Sequence, residues 1–396
     1  MSEWVELKLT EVGSLQRGKS KHRPRYAFHL YNGKYPFIQT GEVRESRKYI
    51  SEFKNTYSEA GLAQSKLWPK NTLCITIAAN IAELGILKFD ACFPDSVIGF
   101  IPDKNKSNLD FVYYTLCHFQ RELKHLGEGS VQDNINLGTF NDIKFMFPSL
   151  AEQKAIASVL SSLDNKIDLL HRQNKTLESM AETLFRQWFV EEVQDDWEEV
   201  KVSHFVTLNK SSITKKYDHQ SILYLDTSSL TKGYISELKP LILSEAPSRA
   251  KRLVQHLDIL ISTVRPDQCH YGFCFKPEAN LVVSTGFCTI TCDTITPYFV
   301  YYLLTSEDMT EYLHSIAEGS TSTYPSLKPE DIGNVSFALP PKEKLNDYHN
   351  VVGAMWNKIN QNQKQIQNLE KLRDTLLPKL MNGEVRVSYT PEEIKQ

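Results

Sequence analysis

What this chain has little of does most to narrow its function. No apolar run approaches the roughly 18 residues that a membrane span needs, so neither a crossing helix nor a membrane partner is expected. Cysteine is sparse: seven, an odd number scattered over 396 residues, which argues against a disulfide framework and for a reducing compartment, the cytoplasm by default. Glycine is scarce too, at 17 residues, and no Gly-x4-Gly-Lys-Ser/Thr string occurs, so a phosphate-cradling loop is unsupported. Neither sign of charge dominates. With a net charge of −3 and a pI near 6.4, any surface for a polyanion has to be a local basic patch with acidic faces elsewhere. The opening Met1-Ser2-Glu3-Trp4-Val5-Glu6 is acidic and polar, unlike a signal peptide. A hydrophobic fraction of 41%, a charged fraction of 23% and a mass of 45.4 kDa describe an ordinary globular chain with material for two or three domains.

What the chain does have is a duplication. Ile156, Leu160, Leu163, Ile167, Leu170, Asn174, Leu177, Ala181, Leu184 and Trp188 fall at alternating spacings of four and three. The same ladder returns as Tyr348, Val352, Met355, Ile359, Asn362, Ile366, Leu369, Arg373, Leu376 and Leu380. A seam repeating every ~3.5 residues keeps two helices in contact along their length, so these two are expected to pair as a coiled coil. Ser149 and Glu152 form a capping-box pattern behind Pro148, while the second helix opens on Leu339-Pro340-Pro341-Lys342. Pro378 is expected to end or kink the second helix one turn before its seam finishes. Asn174 and Asn362 either fix the register of the pair or are solvated breaks in the seam.

The segments before each helix also match. Trp4–Leu7 corresponds to Trp197–Val200, Tyr35–Thr40 to Ile222–Thr227, and Thr72–Ile77 to Asp258–Thr263, all strand-like runs. Phe111-Val112-Tyr113-Tyr114 recurs letter for letter as Phe299-Val300-Tyr301-Tyr302, and Glu128-Gly129-Ser130 as Glu318-Gly319-Ser320. A period of roughly 190 residues is too long for a solenoid unit and describes a duplicated domain plus a helix. The expected fold is mixed α+β with a pseudo-two-fold internal repeat: globular modules at 1–147 and 194–339, and helical regions at 148–193 and 340–396.

At this point the chain resembles the specificity subunits of type I restriction-modification systems. The likeness is carried by Phe147-Pro148-Ser149-Leu150-Ala151-Glu152-Gln153-Lys154-Ala155-Ile156, by Leu184-Phe185-Arg186-Gln187-Trp188-Phe189, and by Leu376-Leu377-Pro378-Lys379-Leu380-Met381-Asn382-Gly383-Glu384-Val385. The second helical region departs from it, opening with Pro341-Lys342-Glu343-Lys344-Leu345. The resemblance implies two target recognition domains, each reading half of a bipartite double-stranded DNA site, and two antiparallel helices that set the spacing. It also implies docking of two modification (methyltransferase) subunits, which would carry S-adenosylmethionine, and of restriction subunits in the assembled complex. This chain would hold no cofactor and catalyse nothing. In keeping with that, neither an Asn/Asp-Pro-Pro-aromatic motif nor a glycine-rich cofactor loop is present. The competing reading is a coiled-coil adaptor whose two modules bind proteins.

For DNA, the candidate side chains are Arg17, Lys19, Lys21, Arg23 and Arg25, then Arg44, Arg47 and Lys48, with Lys210, Lys215 and Lys216 at the corresponding place in the second module. Arg249, Lys251, Arg252 and Arg265 form a further set. Such groups neutralise phosphates, and arginine can also pair with guanine; as a bland alternative, charge runs line solvated loops. Ser130, Gln132 and Asn134, and likewise Ser320, Thr321, Thr323 and Tyr324, offer amides and hydroxyls after the shared Glu-Gly-Ser; otherwise they are plain polar turns. Cys269, Cys274, Cys288, Cys292 and His270 could be stretched into a zinc site, but they sit in apolar runs where cysteine acts as a small hydrophobe, so no metal is expected.

Overall fold

The two halves of the sequence fold into the same set of sheets, each closed by pieces of both long helices. The computed structural model describes residues 4–78, 80–128, 137–320 and 323–388. The chain divides into a first unit, Met1–Leu169 with Gln365–Gln396, and a second, Leu170–Lys364.

The strands of the first unit are β1 (Val5–Lys8), β2 (Gly13–Arg17), β3 (Tyr31–Phe37), β4 (Tyr49–Ile50), β5 (Asn55–Tyr57), β6 (Leu67–Trp68), β7 (Leu73–Thr76), β8 (Leu84–Leu87), β9 (Ala91–Cys92), β10 (Val97–Pro102) and β11 (Lys144–Phe147). They assemble in the orders β2-β10-β7-β8-β4, β5-β3-β9-β6 and β1-β11. Both faces of the larger sheet are covered, which is why β7 and β8 are continuous apolar runs, buried at every position. Gly99 in β10 is there for room, since a Cβ would lie 2.6 Å from the Trp68 ring.

In the second unit the strands are β12 (Glu199–Lys201), β13 (Val206–Leu208), β14 (Ser221–Leu225), β15 (Leu230–Thr231), β16 (Tyr234–Ile235), β17 (Lys239–Ile242), β18 (Ala250–Leu253), β19 (Asp258–Ser262), β20 (Tyr271–Cys274), β21 (Leu281–Ser284), β22 (Phe287–Cys292) and β23 (Ser336–Ala338). Their orders, β13-β22-β19-β20, β17-β14-β21-β18 and β12-β23, repeat those of the first unit. Even the parallel pair of the smaller sheet recurs, β3 beside β9 and β14 beside β21. Each unit has one addition: β4 beside β8 in the first, and the hairpin β15–β16 in the second. The repeated Phe-Val-Tyr-Tyr lies in helices Leu109–His118 and Pro297–Thr305, and all eight side chains are buried. Each such aromatic contributes about 1.5–3 kcal/mol by leaving water, which accounts for the shared string.

The helices Leu150–Arg186 and Lys342–Met381 run without a break. Ser149 caps the first, its hydroxyl accepting from the Glu152 N–H at 3.3 Å. Gln187–Glu191 continue it as a π-helical turn that seats Phe189 against Tyr348, with ring centroids 5.0 Å apart. The expected seam is the protected stripe: Ile156, Leu160, Ile167, Leu170, Asn174 and Ala181 are buried on one helix, and Tyr348, Val352, Ile359, Asn362, Ile366 and Leu380 on the other. Leu163, Leu177, Leu184, Met355, Leu369 and Leu376 are half-buried on the same stripes.

Pairing is antiparallel in both units. In the first, Arg373 binds Asp164 at 3.0 Å. In the second, Asn362 donates to Asn174 at 2.8 Å, and Tyr348 donates to the Ala181 carbonyl at 3.1 Å. Asn174 and Asn362 are therefore buried partners, and the solvated-break reading falls. Pro378 does not end the second helix, which continues to Met381. Proline at 378 removes one i→i−4 hydrogen bond, and burial of Leu380 and Met381 in the core with Leu9, Val12, Phe111 and Leu160 outweighs that loss.

Replacing Asn362 by Ala leaves Asn174 buried without its donor and should cost about 1–3 kcal/mol in urea denaturation. The double change to Leu at both positions should recover that stability.

Candidate nucleic-acid interface

In the first unit the candidate cations gather at one end of the larger sheet. The sheet register sets Arg17 opposite Ile98 and Thr76 opposite Val97, so the end of β2, the end of β7 and the start of β10 lie together. Asp95, in the turn before β10, organises the cluster. Its side chain binds Arg25 at 3.0 Å and approaches Arg23 at 4.0 Å, and its carbonyl accepts from Arg17 Nε. Arg23 also donates to the carbonyls of Ser20 (2.7 Å) and His22 (2.9 Å). One carboxylate among three guanidiniums orders them while leaving the turn positive. Gly18 lets the chain pass there, because a Cβ would sit 2.3 Å from the Pro94 carbonyl oxygen. Lys19 and Lys21 are exposed beside it.

Hydrogen bonding carries this surface further. Ile77 N–H binds the Ser96 carbonyl at 2.9 Å, and Arg44 reaches Asn80 Oδ1 at 3.3 Å on the same turn. Arg47 is exposed, and its carbonyl accepts from the Tyr113 hydroxyl. Two neighbours escape a search for charge: Tyr26 and Phe28 stand 77% and 85% exposed on the basic loop. Ser130, Gln132 and Asn134 lie outside the described residues.

Lys48 lies inside the protein and not on the basic surface expected of it. Its side chain is 4% exposed, with Nζ 2.8 Å from Asp110, 2.8 Å from Ser161 Oγ and 3.1 Å from the Tyr114 hydroxyl. That hydroxyl in turn donates to Asp164 at 2.6 Å, so Lys48 is an internal tie to the first long helix with no access to a ligand. Burial, and then Asp164, push the Tyr114 phenol well up, so it stays a donor across the physiological range.

The second unit brings together two clusters that are distant in sequence. Residues 211–213 lie beside β18, with Ile213 N–H on the Lys251 carbonyl (2.8 Å) and Leu253 N–H on that of Ser211 (3.1 Å). The exposed Lys215 and Lys216 thus follow directly on a segment paired with Lys251 and Arg252, and Arg252 reaches Ser212 Oγ at 3.4 Å. Lys210 is drawn elsewhere: it pairs with Asp293 at 3.1 Å, beyond the far end of β22. Thr207 and then Lys210 hold the Asp293 carboxyl below the usual carboxylate range.

A second polar group forms where β19 ends and β22 begins. A Cβ on Gly286 would lie 2.9 Å from an Arg249 nitrogen and 2.9 Å from the Thr227 methyl, so the glycine admits both side chains. Burial alone would raise the neighbouring Asp226, but the Tyr224 hydroxyl, the Ser228 N–H, the Thr227 hydroxyl and Arg249 together hold it down. Arg265 follows β19, with its guanidinium carbon 4.6 Å from the centre of the Tyr324 ring. Thr323 is exposed, Ser320 Oγ accepts from Ser326 N–H at 3.3 Å, and Thr321 lies outside the described residues.

No group of three or more metal-ligating side chains gathers among the described residues. Burial pushes the Cys288 and Cys292 thiols up to about 12, as expected of small core hydrophobes. No helix among the described residues is long and apolar enough to cross a membrane.

Two similar mixed modules with basic sheet ends, each packed on an antiparallel pair of helix segments, define a duplicated α+β protein. Comparison with known proteins narrows the class. Residues 1–179 match the family model described as "Type I restriction modification DNA specificity domain". The MjaIX type I specificity subunit of Methanocaldococcus jannaschii is 26% identical over 97% of this chain and 94% of its own length. The MjaVIII specificity subunit of that organism is 24% identical over 90% and 87%, and the HindI specificity subunit of Haemophilus influenzae 26% identical over 46% and 40%. The crystal structure of the type I S subunit from M. genitalium shares the fold, with a TM-score of 0.61 and 17% identity over 98% of this chain and 97% of that one. Over nearly its whole length the chain is thus similar to type I specificity subunits, and it shares the fold of the M. genitalium S subunit.

Replacing Lys48 by Met should cost about 3 kcal/mol in chemical denaturation, the low end for a broken buried pair because Asp110 is a third exposed. The folded variant should bind DNA with unchanged salt dependence.

Proposed function

We propose that each module reads one half of a bipartite double-stranded DNA site and that the paired helices fix the spacing between the halves. The helices also dock two modification subunits, which carry the S-adenosylmethionine, and restriction subunits join that core. The sequence divides for this purpose into recognition modules at 1–147 and 194–339 and helical regions at 148–193 and 340–396. The cytoplasm, where the DNA is, is the proposed site of action.

The observation that carries this reading is the duplication with divergence. One strand topology is built twice, and its sheet end carries a different set of side chains each time: Arg17, Arg23, Arg25 and Arg44 once, Arg249 and Arg265 the second time. Equal scaffolds with unequal surfaces suit two unlike half-sites. A helix of 37 residues reaches about 55 Å, enough to span half-sites one DNA turn, about 34 Å, apart. The protein-adaptor alternative finds no support among the relatives, which are named as restriction-enzyme specificity subunits.

Co-expression with a modification subunit, followed by mapping of methylated bases in the host genome, tests the reading. A split motif is expected; a contiguous one overturns it. Charge reversal at Arg17, Lys19 and Arg23 together should weaken DNA binding at least tenfold. The same change should lower the slope of log affinity against log salt by about one per lost phosphate contact, with subunit assembly intact in size-exclusion chromatography.

A further inference from the structure

We infer that Arg265, stacked on Tyr324, reads a guanine in the half-site bound by the second unit; this rests on the DNA-reading function proposed above. The backbone comes first. Arg265 has φ +50°, a left-handed conformation that side chains other than glycine and asparagine adopt at a cost. Its neighbours hold it there. Arg265 N–H binds the Pro325 carbonyl at 2.9 Å, Leu327 N–H binds that of Thr263 at 2.7 Å, and Val264 and Ser326 form a β-bridge. The end of β19 is thereby clamped to the segment after helix Glu307–Glu318, and the clamp brings Tyr324 beneath Arg265.

The side chain has the matching property. Its guanidinium lies on the tyrosine face, and both residues are exposed. Among the described residues no carboxylate lies within ion-pair distance of it, whereas Arg25 is bound to Asp95 at 3.0 Å and Lys210 to Asp293 at 3.1 Å. A guanidinium held over an aromatic ring is restrained by it while its N–H edge stays available to a hydrogen-bond partner. Such an edge fits the O6 and N7 acceptors of guanine in the major groove. A phosphate can take the same fork, but losing it would weaken binding on every sequence alike, and the test separates the two. Continuing the sequence match of Thr72–Ile77 with Asp258–Thr263 aligns Ala79 with Arg265.

The test compares complexes carrying wild-type chain, Arg265→Lys, Arg265→Ala and Tyr324→Ala, each co-expressed with the modification subunit and scored by genome-wide methylation mapping. If wild type gives no split motif, the DNA-reading function itself has failed. Given a split motif, Arg265→Ala should lose roughly tenfold to a hundredfold of discrimination at one G·C pair of one half only, leaving the other half unchanged. Arg265→Lys keeps the charge but not the double donor, so it should relax the same position, and Tyr324→Ala should do so partially. Should Arg265→Ala fail to fold, Arg265→Lys and Tyr324→Ala decide the matter. Lysine giving the wild-type motif at wild-type efficiency, or affinity falling evenly across all sequences with a smaller salt slope, would overturn the inference.

Discussion

Two long helices with apolar seams can slide past one another by a whole heptad and still bury most of their leucines; something other than leucine has to choose the register. Here that is the Asn362–Asn174 hydrogen bond at 2.8 Å, buried in the second unit. Displacement of the partner by seven residues would set Asn174 against Met355 or Leu369, burying an amide with nothing to bond. In the first unit Arg373 and Asp164 act alike, and Asp164 also takes the Tyr114 hydroxyl.

A similar logic governs the first module's attachment to its own helix. Lys48 follows directly on the exposed Arg47, yet its ammonium is sunk among Asp110, Ser161 and Tyr114. A lysine used this way stabilises little compared with an apolar side chain of its size, but only one arrangement of module and helix satisfies it. Arg44, on the outward side of the same short segment, is then presented from a fixed base.

Much of this architecture can be read from the letters. The repeat of Phe-Val-Tyr-Tyr, the paired strand-like runs and the two ladders anticipate a fold built twice and a paired helical seam, because periodicity and burial are local properties of the chain. Contacts made across long separations are not local, and there the reading falls short. Lys48 looks like a surface cation beside Arg44 and Arg47, since its partners lie 62 to 113 positions away (110 − 48 and 161 − 48). Pro378 looks like a stop or a kink, and that it is not a stop rests on the burial of Leu380 and Met381 with residues near the other end of the chain. Likewise, nothing in the local pattern shows that Arg265 meets Tyr324, or that Lys210 turns to Asp293 while Lys215 and Lys216 follow a segment lying against β18.

The first unit is assembled from both extremities of the described chain. Leu380, Met381 and Val387 pack with Trp4, Leu7 and Leu9, and a Cβ on Gly383 would come within 3.8 Å of the Trp4 ring. The first and last described segments are neighbours. The order in which the two halves are written is therefore a matter of genetic punctuation: a gene cut in the turn after Glu191 and rejoined between Val387 and Trp4 would encode the same ring of contacts from a different first residue.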